Sequence, residues 1–541
     1  QMIIGGSSAL SDYISGSVSA VGSTGAGGNI VINNTLAGPT NLSLLSTVTV
    51  AGAAGNDGLI TFSNAGDFTL VGGVNGRTVG RVALSSPQNI DAQFVAANYQ
   101  LKLQSATSSN LILKNTGAGS SILVSGTVDA SNTLDIQAPI IVNSSGALIN
   151  AGGGTGTVTA TTLTNSGTIR SAGLLTVAAP TLTNFGTLQS TGANTSINTT
   201  TFNNDGVVRS IPGGTINITN STTNPLAITG TGSLVSGFLS ISSNGALNFN
   251  QQFALGSIDV MAAGNIGISI AQCVLNIAPG SSGGLTSTSG NIVVSSGGRG
   301  LSVVDGTKIS AGGNISLTSQ RGITFGNGVT LQAGKVSGSA VVDPLNPAFL
   351  PAGSVTQAGE IYVDNYLNGN STGSPITVGT NFAATTYGGN NTYLTRGDLI
   401  FGDGANLQSW GGNTILSAGN GVNLGNGSRV LSSAQLTGGI HPISTPAGYG
   451  IPNYAGGAVG IFAGLENLNI NSTLNTRSLT RNGVNSAFIL DGNPMGGDFE
   501  KTSNVFPPPE PPPLPPDYYI QNESLTNGNT IVQVIDGGQI Y

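Results

Sequence analysis

Charge is what this chain has least of. Of 541 residues, 15 are Lys or Arg and 22 are Asp or Glu, so charged residues make up 7%, against about 25% in an ordinary globular domain. So few cations exclude a basic nucleic-acid-binding surface. Heptads of Ala, Glu, Lys, Leu and Arg are missing, which excludes a coiled coil. There is one His (His441), one Cys (Cys273), one Trp (Trp410) and five Glu. A lone Cys cannot form an intrachain disulfide, so stability must come from backbone hydrogen bonds and packing. No run of about 18 apolar residues occurs, so no membrane span is readable. The chain opens at Gln1 without Met, which reads as a processed form.

What is abundant is glycine, 84 residues, beside 38% hydrophobic residues. That is too apolar for a charge-driven disordered chain. Apolar residues come in short alternating runs closed by Gly or Asn-Gly, such as Ile315-Ser316-Leu317, Ile323-Thr324-Phe325 and Val329-Thr330-Leu331. Period two with turn punctuation predicts short strands. The best helical segment is Asp91 to Tyr99, and it is short.

The runs recur. Leu163-Thr-Asn165-Ser-Gly167 returns as Leu182-Thr-Asn184-Phe-Gly186 and Phe202-Asn-Asn204-Asp-Gly206, at spacings of 19 and 20 residues. Gly312 to Gln332 returns as Gly411 to Gly427, with Asn314, Gly322 and Asn327 over Asn413, Gly421 and Asn426. Several short strands per period of about 20–25 residues predict an all-β solenoid of stacked parallel coils. Gly takes the corners. Asn165, Asn184 and Asn204, at one repeated corner, are expected to stack as an amide ladder.

These units resemble the haemagglutinin repeats of filamentous-haemagglutinin-like surface exoproteins. The residues carrying the likeness are Gly264-Asn265-Ile266, Gly290-Asn291-Ile292, Gly313-Asn314-Ile315 and the Asn-x-Gly units above. The likeness is clearest from about 140 to 435. It implies a right-handed parallel β-helix on a bacterial surface. The family's secretion signature, Asn-Pro-x-Gly-Ile, is not present: Asn224-Pro, Asn346-Pro and Asn493-Pro lack the Gly-Ile. The resemblance therefore does not imply the two-partner export route.

Residues 1–437 read as the solenoid, with an insertion around 340–400 marked by Pro344, Pro347, Pro351, Tyr362, Tyr366, Tyr387 and Tyr393. Residues 438–505 read as an irregular cap or lateral module. Eight prolines between Pro507 and Pro516, with Pro511 and Pro515 among them, predict a stiff polyproline arm over 506–517, about 30 Å long at about 3.1 Å per residue. A tail, 518–541, follows. It begins at Tyr518 and Tyr519 and carries one strand pattern, Thr530 to Ile535, with Ile531, Val532, Val534 and Ile535. A strand on a rigid spacer has reason to exist if it pairs with a sheet, its own or a neighbour's.

Chemistry is sparsely supplied. Parallel β-helices also host polysaccharide lyases and hydrolases, but those need clustered carboxylates, and the pairs Asp398/Asp403 and Asp129/Asp135 fall near turns. Asp305 occupies the turn position of Asn327 and Asn426. Cys273 reads as a core residue and His441 as a loop residue. Arg396-Gly397-Asp398 reads as a turn rather than an integrin motif. Flat rows of Thr-x-Thr, which ice binding would need, are not evident. No catalytic residue, metal or cofactor is assigned. The expectation is a non-enzymatic extracellular fibre or sheath subunit that joins copies of itself head to tail through its open ends and a donor strand. The alternative is a monomeric adhesin or carbohydrate-binding stalk meeting cell-surface glycans, with the Tyr-rich 362–393 stretch as its site. A glycan-cleaving β-helix comes after that. No nucleic acid and no membrane span are expected.

Overall fold

A computed structural model gives the fold. It describes residues 57–253 and 256–433, apart from 271–273, 298, 337–354, 366–372, 411 and 413, and only short segments outside that range. The described residues form strands and no helix, about 15 turns of β-solenoid in all. They fall into two compact units, Gln1–Ile241 with Gln251–Gly256, and Ser242–Asn250 with Ser257–Tyr541.

In the first unit each turn of chain lays its strands parallel and in register on the turn before. Along Leu59–Asn64 the side chains of Ile60, Phe62 and Asn64 are buried while their neighbours are partly exposed. This is the alternation a pleated strand imposes when one face meets a core. Three inward columns result. One runs Ile122, Ile141, Leu163, Leu182, Phe202, Ile228. A second runs Leu113, Ile136, Val158, Val177, Ile197, Ile218. The third runs Val128, Ile149, Ile169, Leu188, Val208, Leu234. All of these side chains are buried. Each touches a like-sized neighbour above and below, so the core is continuous without a single large aromatic cluster. Burying one such side chain stabilises by about 1.5–3 kcal/mol.

The Asp91–Tyr99 segment is not helical. Asn89–Phe94 is a strand, parallel to Phe68–Gly72 and to Asn110–Asn115. Ala92 and Phe94 point into the core. Two ready-made parallel neighbours outweigh local helix preference.

The second unit has rows of its own, among them one that runs Leu285, Ile309, Leu331, Ala384, Leu407, Val430. Ile268, Val294, Leu317, Val363, Tyr393 and Leu416 form one inward column. Ile277, Val303, Phe325, Val378, Phe401 and Leu424 form another. Tyr393 thus replaces an aliphatic residue inside the coil. Its ring lies 5.4 Å from Phe401 and 6.4 Å from Phe382.

The insertion is narrower than 340–400. Ile361–Asp364 continues the row of Ile315–Ser319 directly, and Ile376–Val378 continues that of Ile323–Phe325. What leaves the row is a stem, Lys335–Val336 antiparallel to Val355–Gln357. The prolines 344, 347 and 351 and Tyr366 lie outside the described residues. The rows also run past 437. Ala458–Ala463 lies parallel on Thr414–Ala418, Leu468–Arg477 on Val422–Ser433, and Ala487–Asp491 on Ala458–Ala463.

Candidate functional site

The distinctive chemistry of this protein is a set of side-chain rows that repeat from coil to coil.

The innermost row is made of amides. Asn143, Asn165, Asn184 and Asn204 each end a strand and turn inward at the corner before a glycine, and all four are fully buried. Asn143 Nδ2 donates to Asn165 Oδ1, Asn165 Nδ2 to Asn184 Oδ1, and Asn184 Nδ2 to Asn204 Oδ1, each at 2.7 Å. The same nitrogens also reach corner carbonyls, Thr168 O at 3.3 Å and Thr187 O at 3.1 Å. The row stops at Asn143 because Val124 occupies its place one coil earlier, which leaves Asn143 Oδ1 without a partner. At the other end Gln251 takes over the corner. Its Nε2 donates to Asn204 O, Gly230 O and Gly232 O at 3.2, 3.1 and 2.9 Å.

Glycines stack beside the amides. A Cβ added to Gly186 would run into Gly167 O, one on Gly206 into Gly186 O, and one on Gly232 into Gly206 O. Backbone approaches so closely here that no side chain fits.

Two further rows lie outside, and sequence reading missed the first. Asn89 Nδ2 donates to Asp67 Oδ1, Asn110 Nδ2 to Asn89 Oδ1, and Asn132 Nδ2 to Asn110 Oδ1, at 2.8, 2.7 and 2.9 Å. In the second unit the Gly-Asn-Ile starts do different work. The backbone N–H of each start donates to the side chain one coil back: Asn291 N to Asn265 Oδ1, Asn314 N to Asn291 Oδ1, and Glu360 N to Asn314 Oδ1, at 2.8, 2.8 and 2.9 Å. Burial raises the Glu360 carboxyl above its ordinary range. Asp305 is a turn residue of the same kind, its Oδ1 accepting from Asn327 N at 2.8 Å.

Short threonine rows are present. Thr162, Thr181 and Thr201 are register partners, as are Thr164 and Thr183, and all alternate with the buried Leu163, Leu182 and Phe202. They were hard to read because they last only two to three coils before Asn203 and Ala227 interrupt them. Phe185, 54% exposed, stands at the adjoining corner.

The paired carboxylates are engaged separately. Asp129 Oδ1 accepts from Asn150 Nδ2 at 2.6 Å, Asp135 faces Lys114 Nζ at 3.5 Å, and Asp398 Oδ1 accepts from Gly421 N at 3.1 Å. Arg396-Gly397-Asp398 is the bend between two strands. Among the described residues no three His, Cys, Asp or Glu side chains group as a metal site would need. No helix there is long and apolar enough to cross a membrane. Two described carboxylates, those of Asp259 and Asp364, are deeply buried. Asp259 accepts from Gly280 N (3.2 Å), Ser282 N (3.1 Å), Ser282 Oγ (2.5 Å) and Gly284 N (2.7 Å), pinning the 280–284 loop.

Tyr393 is fully buried, and Tyr362 and Tyr387 are partly exposed. His441, Cys273, Pro507, Pro511, Pro515, Tyr518 and Tyr519 lie outside the described residues. Ile531, Val532, Val534 and Ile535 belong to the strand Thr530–Ile535, whose backbone runs parallel to Leu468–Arg477 and antiparallel to Glu523–Asn527.

Comparison with protein-family models, with curated proteins and with solved structures finds no match to this chain.

Proposed function

We propose that this chain is a non-enzymatic structural subunit of an extracellular fibre or sheath on a bacterial surface, built on the plan of the filamentous-haemagglutinin-like exoproteins it resembles. The observation that carries this reading is the coil-to-coil copying of the Asn and Gly rows. A coil built to receive the next one through backbone and amide hydrogen bonds also offers a template at any open end. Copies join head to tail through those ends and through the C-terminal strand. Such a contact does not close on itself, so it propagates. It relies on hydrogen bonds and apolar burial, which suits a chain with 37 charged residues in 541 and tolerates salt. No cofactor or metal takes part.

Negative-stain microscopy of the purified protein tests the reading. Continuous fibres are expected, and separate rods at every concentration would discard it. Removing residues 507–541 is expected to shorten or abolish the fibres.

A second reading is favoured by the uncharged threonine face. Hydroxyls repeated in register at about 4.8 Å suit a polymeric glycan, so the coils would serve as an adhesin stalk. Saturable binding to cell-surface polysaccharide, weakened by Thr181→Val with Thr183→Val, would support it over the fibre.

A further inference from the structure

One outward row of the first unit carries charge, in a chain that has little. Asp129, Asn150, Arg170, Gln189 and Arg209 are register partners on successive coils. The first three are linked. Asp129 Oδ1 accepts from Asn150 Nδ2 at 2.6 Å, and Asn150 Oδ1 accepts from Arg170 Nε at 2.8 Å. Asn150 is buried and Arg170 is exposed. The relay therefore fixes the guanidinium by its inner nitrogen and turns its two terminal nitrogens to solvent. Arg209 lies two coils beyond Arg170, about 10 Å along the axis, and is exposed as well. Neither arginine forms an ion pair among the described residues. Gln189 sits between them, one coil from each.

The corner that leads into the Gln189 strand carries an aromatic ring. Phe185 is 54% exposed, while the Phe202 ring of the next coil is fully buried. The face of such a ring has a partial negative charge that attracts the C–H groups of a pyranose. Thr187 and Gln189 follow on the strand Thr187–Ser190 and point outward. Asp205 gives the face a polarity. It takes the corner position of Phe185 one coil later, its N donating to Asn184 O as Phe185 N donates to Asn165 O. Its carboxylate accepts from Thr231 N, Thr231 Oγ1 and Asn203 Nδ2 at 2.8, 3.1 and 3.1 Å. An anion is repelled at that end of the face and attracted at the arginine end. A neutral, hydroxyl-bearing ring suits the first, and a carboxylate suits the planar forks of the second. A nucleic acid fits less well, because it is charged at every unit and would set a phosphate beside Asp205.

We propose that this face binds an acidic polysaccharide in which neutral sugars alternate with uronic acids. A neutral ring stacks on Phe185, and an acidic residue further along sets its carboxylate between Arg170 and Arg209, over Gln189. The site extends the glycan reading, on which it rests, by naming the sugar chemistry and a face round the corner from Thr181 and Thr183. It does not depend on fibre formation.

The test is calorimetric titration of the full-length protein with a hyaluronan hexasaccharide, in which glucuronate alternates with a neutral sugar. Saturable binding is expected, and reducing the carboxylates to alcohols is expected to abolish it. Arg209→Gln should weaken binding about tenfold, as loss of one charged hydrogen-bonding partner does, and Phe185→Ala several-fold. Arg321→Gln, at an exposed arginine of the second unit, should leave binding unchanged. Circular dichroism confirms that each variant folds, and Phe185→Leu replaces Phe185→Ala if it does not. Equal affinity for the reduced glycan or for a single-stranded oligonucleotide overturns the proposal. So does a loss from Arg321→Gln as large as that from Arg209→Gln. Binding that falls in Thr181→Val with Thr183→Val but not in Arg209→Gln would keep the glycan reading and discard this site. No binding of the hexasaccharide or of its reduced form would discard both.

Discussion

Asn184 accepts a 2.7 Å hydrogen bond from Asn165 and, through its own amide, donates one of 2.7 Å to Asn204. It is both acceptor and donor in a row that no water reaches, since all three residues are fully buried. Replacing Asn184 by Ala strands a donor on one side and an acceptor on the other. Each stranded group costs about 1–3 kcal/mol. Asn184→Ala is expected to lower stability by about 2–4 kcal/mol, measured as the urea midpoint. Asn132→Ala, in the exposed outer row where it donates to Asn110, is expected to cost under about 1.5 kcal/mol. Equal losses for the two would show that the inner row is not special.

The glycine seam makes a sharper prediction. In Gly186→Ala the new methyl meets the carbonyl of Gly167, which belongs to the adjacent coil and cannot swing away. A loss of about 1–3 kcal/mol or more is expected. Gly267→Ala is the matched control, because the nearest atom to its Cβ would be Leu247 O at 3.7 Å. It is expected to be neutral or slightly stabilising. Thermal melts of the two variants side by side decide the matter.

Asp259 holds a loop rather than a substrate. Five groups of residues 280–284, Ser281 Oγ at 3.4 Å among them, donate to its carboxylate. Asp259→Ala leaves those donors unpaired, and bonds to a charged acceptor are worth about 1.5–3 kcal/mol each. The loop is expected to open before the coil melts. Limited proteolysis should cut within 280–284 in the variant while the parent stays intact. A variant as resistant as the parent would remove Asp259 as the anchor.

Alkaline pH should weaken the first unit through Tyr99. Its hydroxyl bonds to Thr78, yet burial dominates and pushes it up to about 12 from 10.0. Below pH 10 folded and unfolded chains both hold this proton, so nothing changes. Between about 10 and about 12 the unfolded chain releases it while the folded chain keeps it, and stability falls by roughly 2–3 kcal/mol. Tyr99→Phe is expected to flatten that part of the pH profile of the urea midpoint. The buried Tyr393 hydroxyl, also raised by desolvation and without a partner, should behave differently at neutral pH. Tyr393→Phe is expected to leave stability unchanged or raise it, because nothing is lost but an unpaired polar group.

Periodicity in the sequence exposes much of this architecture. Leu163, Leu182 and Phe202 recur at coil length, and the amides two residues on recur with them. Asn143 escaped notice because Ser144-Ser145 places one extra residue before Gly146, which breaks the Asn-x-Gly spacing. The outer row from Asp67 to Asn132 is harder to read because its asparagines, about 22 residues apart, have no adjacent glycine. Tyr393 was read as part of a projecting stretch because prolines lie nearby in sequence. Its burial follows from strand parity alone, since it is the register partner of Val363 in a row that points inward. Local composition marks where a coil turns. It says less about which side of the strand a lone aromatic will take.

The stem at Lys335–Val336 and Val355–Gln357 leaves the row without disturbing it, since Ile315 still meets Ile361 in register. The cost of closing such a detour grows only slowly with its length. This position is therefore a natural graft point. A foreign epitope or a small folded module placed between these two short strands would be displayed by the molecule while every coil kept its pairing.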